Sequence, residues 1–267
     1  MFTVLLDDSR LARLAGSRFG CVVQLAEATS TNSVLSDEAR RGAAEGLVVV
    51  ADYQSAGRGR FERRWESPPG ASLLFSVLLK PLPADLPAGR RHLAVAAVSL
   101  ALAEGARAVT GVKLGLKWPN DLIAAGPGHV DRKVAGLLAE TTPGPGQGVG
   151  IVVGAGLNVT WAPEGVTATC LEALAGRSVE RGEVLVCSLL ALDRLYGNWD
   201  LVAKRYRESC VTLGREVAVT VSRKPADLQG TALDVDEDGH LIVRTSAGAL
   251  VRVAAGDVTH ATVVGPH

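Results

Sequence analysis

Gly57-Arg58-Gly59-Arg60-Phe61-Glu62-Arg63-Arg64-Trp65 is the stretch on which the reading of this chain turns. Four arginines stand among glycines and aromatics in a protein of 267 residues whose 28 basic side chains balance 28 acidic ones. The positive charge is therefore local. Glycine lets backbone amides come close to a ligand. Arginine presents a planar fork of donors that matches phosphate and carboxylate oxygens. Most charge runs are solvated turns, but such a turn needs neither the glycines, nor Trp65, nor the Pro68-Pro69-Gly70 that closes the segment. The loop reads as a donor-rich cover for a small polyanion.

Around it the chain alternates strands and helices. Apolar runs at 21–25 and 47–52 predict strands, and Ser30-Thr31-Asn32 opens a helix with Ser30 or Thr31 as its N-cap. Residues 71–79 predict a buried strand, and 89–109, rich in alanine and leucine, a long core helix. Segments 114–118, 121–124, 133–141 and 149–158 read as strands. Gly126-Pro127-Gly128 predicts a hairpin tip and Pro143-Gly144-Pro145-Gly146 a loop. Residues 182–208 are helical by pattern, with Gly197 as the weak point. From about Gly214 five short strands (215–221, 228–234, 240–245, 249–253, 257–261) suggest a small β-barrel, with Asp236-Glu237-Asp238-Gly239 as a turn. The expected architecture is a larger α/β (α+β) domain over 1–213, followed by a small all-β domain over 214–267.

Composition narrows the function. The charge balance argues against a broad nucleic-acid or anionic-membrane footprint. The four cysteines are scattered without zinc spacing and read as reduced thiols. No secretory leader is evident, and the apolar stretch Leu93–Ala103 is too short to span a bilayer. A cytoplasmic protein is expected. P-loop, nucleophile-elbow and dinucleotide fingerprints are absent. The five histidines, His92, His129, His240, His260 and His267, read as surface or incidental residues.

Three further motifs follow the arginine loop. In Lys117-Trp118-Pro119-Asn120-Asp121, Pro119 stops a strand and Lys117 and Asp121 stand side by side. There Asp121 could order a metal–phosphate group and Lys117 neutralise charge; an ordinary strand end is the alternative. In Lys133-Val134-Ala135-Gly136-Leu137-Leu138-Ala139-Glu140 a lone lysine opens an apolar strand, and Gly136 implies a close approach; an edge-strand lysine is the alternative. In Gly154-Ala155-Gly156-Leu157-Asn158 two glycines within a strand would let a flat ligand lie against it; a bulge is the alternative.

In this order and spacing the four motifs resemble the biotin protein ligases, with Ser30-Thr31-Asn32 and Tyr53-Gln54-Ser55-Ala56 also fitting, over about Thr29 to His260. The resemblance implies a mixed sheet flanked by helices, of the class II aminoacyl-tRNA synthetase/biotin ligase kind, and a C-terminal SH3-like β-barrel. It implies activation of biotin by ATP with Mg²⁺ to biotinyl-5′-AMP, then transfer to a lysine of a biotin carboxyl carrier protein. No nucleic-acid or membrane partner is implied, and the chain would be a monomer or homodimer.

By the same resemblance, Ser30, Thr31 and Gln54 would hydrogen-bond the ureido ring. Asn32, Gly57 and Arg58 would join the biotin side, with Gly136 and Gly156 leaving room for the rings. Lys133 would meet the biotin carboxylate, and Arg60 would guard biotin and the adenylate. Arg58, Arg60, Arg63 and Lys117 would neutralise nucleotide charge. Trp65 would stack near the adenine, Asn120 and Asn158 would contact the nucleotide side, and Asp121 would orient the carrier lysine or Mg²⁺. Two departures stand out. Glu62 replaces the family's usual glycine, and only about twenty residues precede the catalytic region, too few for a winged-helix module. Lipoate or octanoate transfer, a biotin-sensing repressor and a non-catalytic biotin binder are the competing readings.

Overall fold

The computed structural model describes residues 5–124, 131–143, 149–220, 228–254 and 256–260. Seven strands form the first sheet: β1 (Val22–Ala28), β2 (Val48–Gln54), β3 (Ser72–Leu79), β4 (Leu114–Lys117), β5 (Asp121–Ala124), β6 (Arg132–Pro143) and β7 (Val149–Asn158). Their order is β1-β2-β3-β7-β6-β5-β4. Only β1 and β2 run parallel. They are joined by a helical crossover, as parallel neighbours require. That helix, α2 (Thr31–Arg40), packs Leu35 and Ala39 on Val49, Leu78 and Val152. Ser30 stands at its N-cap position, but its side chain makes no capping bond.

The other face of the sheet carries the main core. The helix α3 (His92–Thr110) is apolar all round because it is surrounded. It passes a length and hydropathy test for a membrane span, yet its residues from Leu93 to Ala106 are mostly buried within this core. Its Gly105 lets α5 (Arg181–Leu195) come so close that any Cβ there would collide with Ser188. The predicted helix over 182–208 is two helices. Gly197, at φ 90°, turns the chain between α5 and α6 (Trp199–Ser209). Two short helices escape the sequence pattern: α1 (Asp8–Arg13), capped by the Asp7 carboxylate on the Arg10 amide, and α4 (Leu171–Ala175). The expected turns at 126–128 and 144–146 lie outside the described residues.

The second sheet is antiparallel, in the order β11-β10-β9-β8-β12. Its strands are β8 (Glu216–Thr220), β9 (Leu228–Val235), β10 (Leu241–Thr245), β11 (Leu250–Val253) and β12 (Asp257–His260). It shares one hydrophobic cluster with the first sheet. The chain entering it also covers the β4 edge: Val211 N–H donates to Leu116 O at 2.9 Å, and Thr212 Oγ1 accepts from Trp118 N–H at 3.0 Å. The Asp236–Gly239 turn lies on the first sheet's side of this junction, where Gly239 O accepts from Trp118 Nε1 at 3.0 Å.

His92 stands beneath that turn, so close that a side chain in place of Gly239 would strike its ring. It is half-buried there. Burial lowers its pKa to about 4, with Arg90 adding to the shift and Asp236 and Asp238 opposing it. The native state holds His92 neutral, while the unfolded chain takes up a proton below about pH 6.5. Stability from this site is complete above that pH and is lost as pH falls toward 4, on the order of 2 kcal/mol. Urea midpoints should therefore drop between pH 7 and pH 4, and His92→Gln should flatten that slope; an unchanged slope would contradict the burial argument.

Candidate functional site

The arginine loop folds back on itself as a narrow hairpin. Arg58 and Arg64 pair as an antiparallel bridge. Gly59 N–H donates to Arg63 O at 2.7 Å, and Trp65 N–H to Gly57 O at 3.0 Å. Gly57 has no room for a Cβ against the Trp65 carbonyl. The exposed tip residue, Phe61, sits at φ 54°, a left-handed conformation that costs a non-glycine residue about 1 kcal/mol. The Arg60 guanidinium lies over its ring at 4.9 Å. The expected influence of Glu62 on the loop concerns a side chain outside the described residues.

The loop lies over the open face of the sheet. Gly136 on β6 and Gly156 on β7 are directly paired. Asp121 flanks the pair on β5 and Leu74 on β3. Pairing of β7 with both neighbours runs without a register break from Ile151 to Leu157, so its two glycines are not a bulge. A Cβ on Gly156 would stand 2.5 Å from the Trp65 indole, and one on Gly136 would stand 3.1 Å from it. Trp65 thus rests on the bare patch that Gly136 and Gly156 leave in the sheet. Gly154 serves a different neighbour: a Cβ there would collide with Asn32 Oδ1.

A β-bulge aims Lys133. The β5–β6 register slips between Leu122 and Ile123, so that Leu122 faces Ala135 and Ile123 faces Lys133. Val134 and Ala135 both enter the core. The extra residue turns Lys133 to the face of Gly136, where strict alternation would send it to the opposite side. Its ammonium reaches Asp121 Oδ1 at 2.7 Å and stands 5.7 Å from the Trp65 ring centre. The edge-lysine alternative fails, because β6 lies between β7 and β5. Lys117 is paired with Asp121 in the β4–β5 register, as the sequence suggested. It does not line the cavity beneath the loop, and Asp121 instead takes Lys133 as its ion-pair partner. No cluster of three His, Cys, Asp or Glu side chains is found among the described residues.

The other end of the cavity is lined by oxygens. Gln54 Oε1 accepts from Thr31 N–H at 2.7 Å and from Thr31 Oγ1 at 3.1 Å. Ser76 Oγ lies 2.8 Å from Thr31 Oγ1 and 2.7 Å from Asn32 Oδ1. Three oxygen–oxygen contacts thus share two hydroxyl protons. One of these contacts is therefore left without a proton, which an incoming donor can supply. Asn32 Nδ2 donates to Leu138 O at 3.2 Å and to Glu140 Oε2 at 2.9 Å. Ser30 is buried at the same cavity wall.

The remaining predicted residues fall on both sides of Trp65. Arg60 donates to Asn120 Oδ1 at 3.3 Å and to Gly256 O at 3.1 Å, and Asn120 donates to Leu137 O at 2.6 Å. Arg63 lines the cavity. Arg58 is turned to Glu140 and Ser33, at 2.8 and 3.1 Å. Asn158 is buried, donates to Thr169 O, and leaves Oδ1 unbonded. It lines a second cleft behind Trp65, beside Lys133 and Thr167. The 167–169 strip pairs with Lys133 through Lys133 N–H to Thr167 O and Thr169 N–H to Lys133 O, at 2.9 and 2.8 Å. Sequence reasoning missed this strip, which has no periodicity to reveal it. It also missed Ser76, whose only signal is a serine inside an apolar strand.

Comparison with known proteins agrees with this geometry. Residues 25–158 match the Biotin/lipoate A/B protein ligase family, and residues 212–260 match the Biotin protein ligase C terminal domain. A biotin--[acetyl-CoA-carboxylase] ligase of Mycobacterium tuberculosis is 35% identical over 92% of this chain and 91% of its own length. Another, from Paracoccus denitrificans, is 31% identical over 78% and 88%. The solved biotin protein ligase of Aquifex aeolicus in complex with biotin and ATP superposes with a TM-score of 0.73 at 25% identity, covering 90% of this chain and 98% of that one. The chain therefore belongs to the biotin/lipoate A/B protein ligase family, among its biotin protein ligases.

Proposed function

We propose that this chain activates biotin with ATP to biotinyl-5′-AMP and transfers the biotinyl group to a lysine of a biotin carboxyl carrier protein. The observation that supports it best is the polarity of one cavity. An ammonium, Lys133, stands at one end, a side-chain-free floor lies at Gly136 and Gly156, and an oxygen-rich network at Thr31, Gln54, Ser76 and Asn32 lacks a proton. Biotin offers the complement in that order: a carboxylate, an apolar bicyclic body and ureido N–H donors. Trp65 moves off the glycines to admit it.

In the first step a carboxylate oxygen attacks the α-phosphorus and pyrophosphate leaves. Anion meets anion, so Arg60 and Arg63 at the cavity wall, with Arg58 at its rim, neutralise charge that grows in the transition state. Lys133 exchanges Asp121 for the substrate carboxylate and stays with the acyl phosphate. In the second step the carrier amine attacks the acyl carbon and the bond to AMP breaks. Asp121, freed from Lys133, orients that amine. Magnesium would come with the triphosphate and would help to neutralise its charge, and Asp121 is the cavity carboxylate that could face it. We place the enzyme in the cytoplasm, where the exposed thiol of Cys21 stays reduced; the chemistry calls for no nucleic acid or membrane.

Pyrophosphate release should require both biotin and MgATP. Stabilisation of the fold by lipoate and not by biotin, read in a thermal shift, would overturn the assignment in favour of lipoate transfer. Lys133→Ala should weaken biotin binding by roughly a hundredfold, the scale of a lost charged hydrogen bond; normal affinity by calorimetry would remove Lys133 from the pocket. Arg60→Ala should leave biotin binding nearer to normal while letting the adenylate escape and hydrolyse. Adenylate retention equal to wild type would show that Arg60 does not close the site.

A further inference from the structure

We propose that Glu140 is a positioning residue that latches the 57–65 loop to the polar end of the cavity. Glu140 closes the Lys133–Glu140 motif and, four residues from Gly136 on β6, stands on the same face of the sheet. A single oxygen, Oε2, receives two donors: Arg58 Nη2 at 2.8 Å and Asn32 Nδ2 at 2.9 Å. Arg58 also reaches Ser33 Oγ at 3.1 Å, on the first turn of α2. Arg58 is bridged to Arg64 across the hairpin, so holding its side chain holds both arms of the loop. Asn32 is buried and bonded to Ser76, so the same carboxylate joins the loop to the network that is one proton short.

The chemistry of the contact requires an acceptor, and a charged one holds the arginine best. Arg58 and Asn32 both present N–H groups to one point, and only an acceptor between them keeps two donors together. Glutamine can place its carbonyl there but loses the charge that strengthens the arginine bond. The pair is partly exposed, with Arg58 45% and Glu140 30% accessible. Its loss should therefore loosen the loop without unfolding the protein, an effect of about threefold to tenfold.

Trypsin reads the loop directly, because it cuts after Arg58, Arg60, Arg63 and Arg64. Cleavage there tracks the population of the opened loop when reclosing is fast. In the ligand-free protein, Glu140→Gln should be cut in this loop about threefold to tenfold faster than wild type, and Glu140→Asp should recover much of the protection. In steady-state biotinylation, an arm that rests on the ligase reading, E140Q should raise KM for biotin by a similar factor with a smaller change in kcat. A merely structural role would lower kcat through loss of folded enzyme and leave KM in place. Equal cleavage rates for wild type and E140Q would overturn the latch. A wild-type protein without biotin-dependent activity would overturn the ligase reading instead, and the cleavage comparison would still decide the latch.

Discussion

The site depends on the absence of two side chains. Gly136 and Gly156 face each other across β6 and β7 in the middle of the first sheet, and no Cβ at Gly156 is compatible with the indole above it. A continuous sheet offers few places where a flat molecule can lie against backbone, and here two adjoin. Around this bare patch the neighbouring strands supply what the patch lacks. The bulge in β6 swings Lys133 over one margin, β3 brings Ser76 to another, and Gly154 gives Asn32 the space to reach it. Trp65 covers the floor, so the loop and the floor form one unit.

The second sheet belongs to the same mechanical system. Its core residues join those of the first sheet, and its β9–β10 turn holds Trp118 through Gly239 O. The loop reaches across to it as well, since Arg60 bonds both Asn120 and the Gly256 carbonyl. Arg58 fastens the loop on the opposite side, at Glu140. The hairpin is thus held at two separated points, one at each end of the cavity. Its strained tip at Phe61 lies between them, where the conformation has to be supported by its surroundings.

Much of this was legible in the chain. Strand periodicity located β1 to β7 closely, because buried strands are short apolar runs with turn residues between them. Gly197 announced the break between α5 and α6. The motif order pointed to the family, and Lys133, Gly136, Gly156, Thr31 and Gln54 do meet at one cavity. What stayed hidden has physical reasons. A bulge leaves no mark in composition, so the facing of Lys133 could not be read from alternation. The partner of Asp121, the Lys133 ammonium, comes from a neighbouring strand, and no local pattern announces that pairing. Burial of His92 depends on a turn over a hundred residues away, and only tertiary packing places it there.

Calorimetric titration of biotin into the wild-type protein and into Gly156→Val tests the central claim most directly. The account predicts saturable binding to the wild type and none to the variant, with both proteins cooperatively folded, because the added side chain displaces the Trp65 indole of the loop and leaves the core intact. Equal biotin affinity in the two proteins would show that the bare glycine patch is not where the ligand lies.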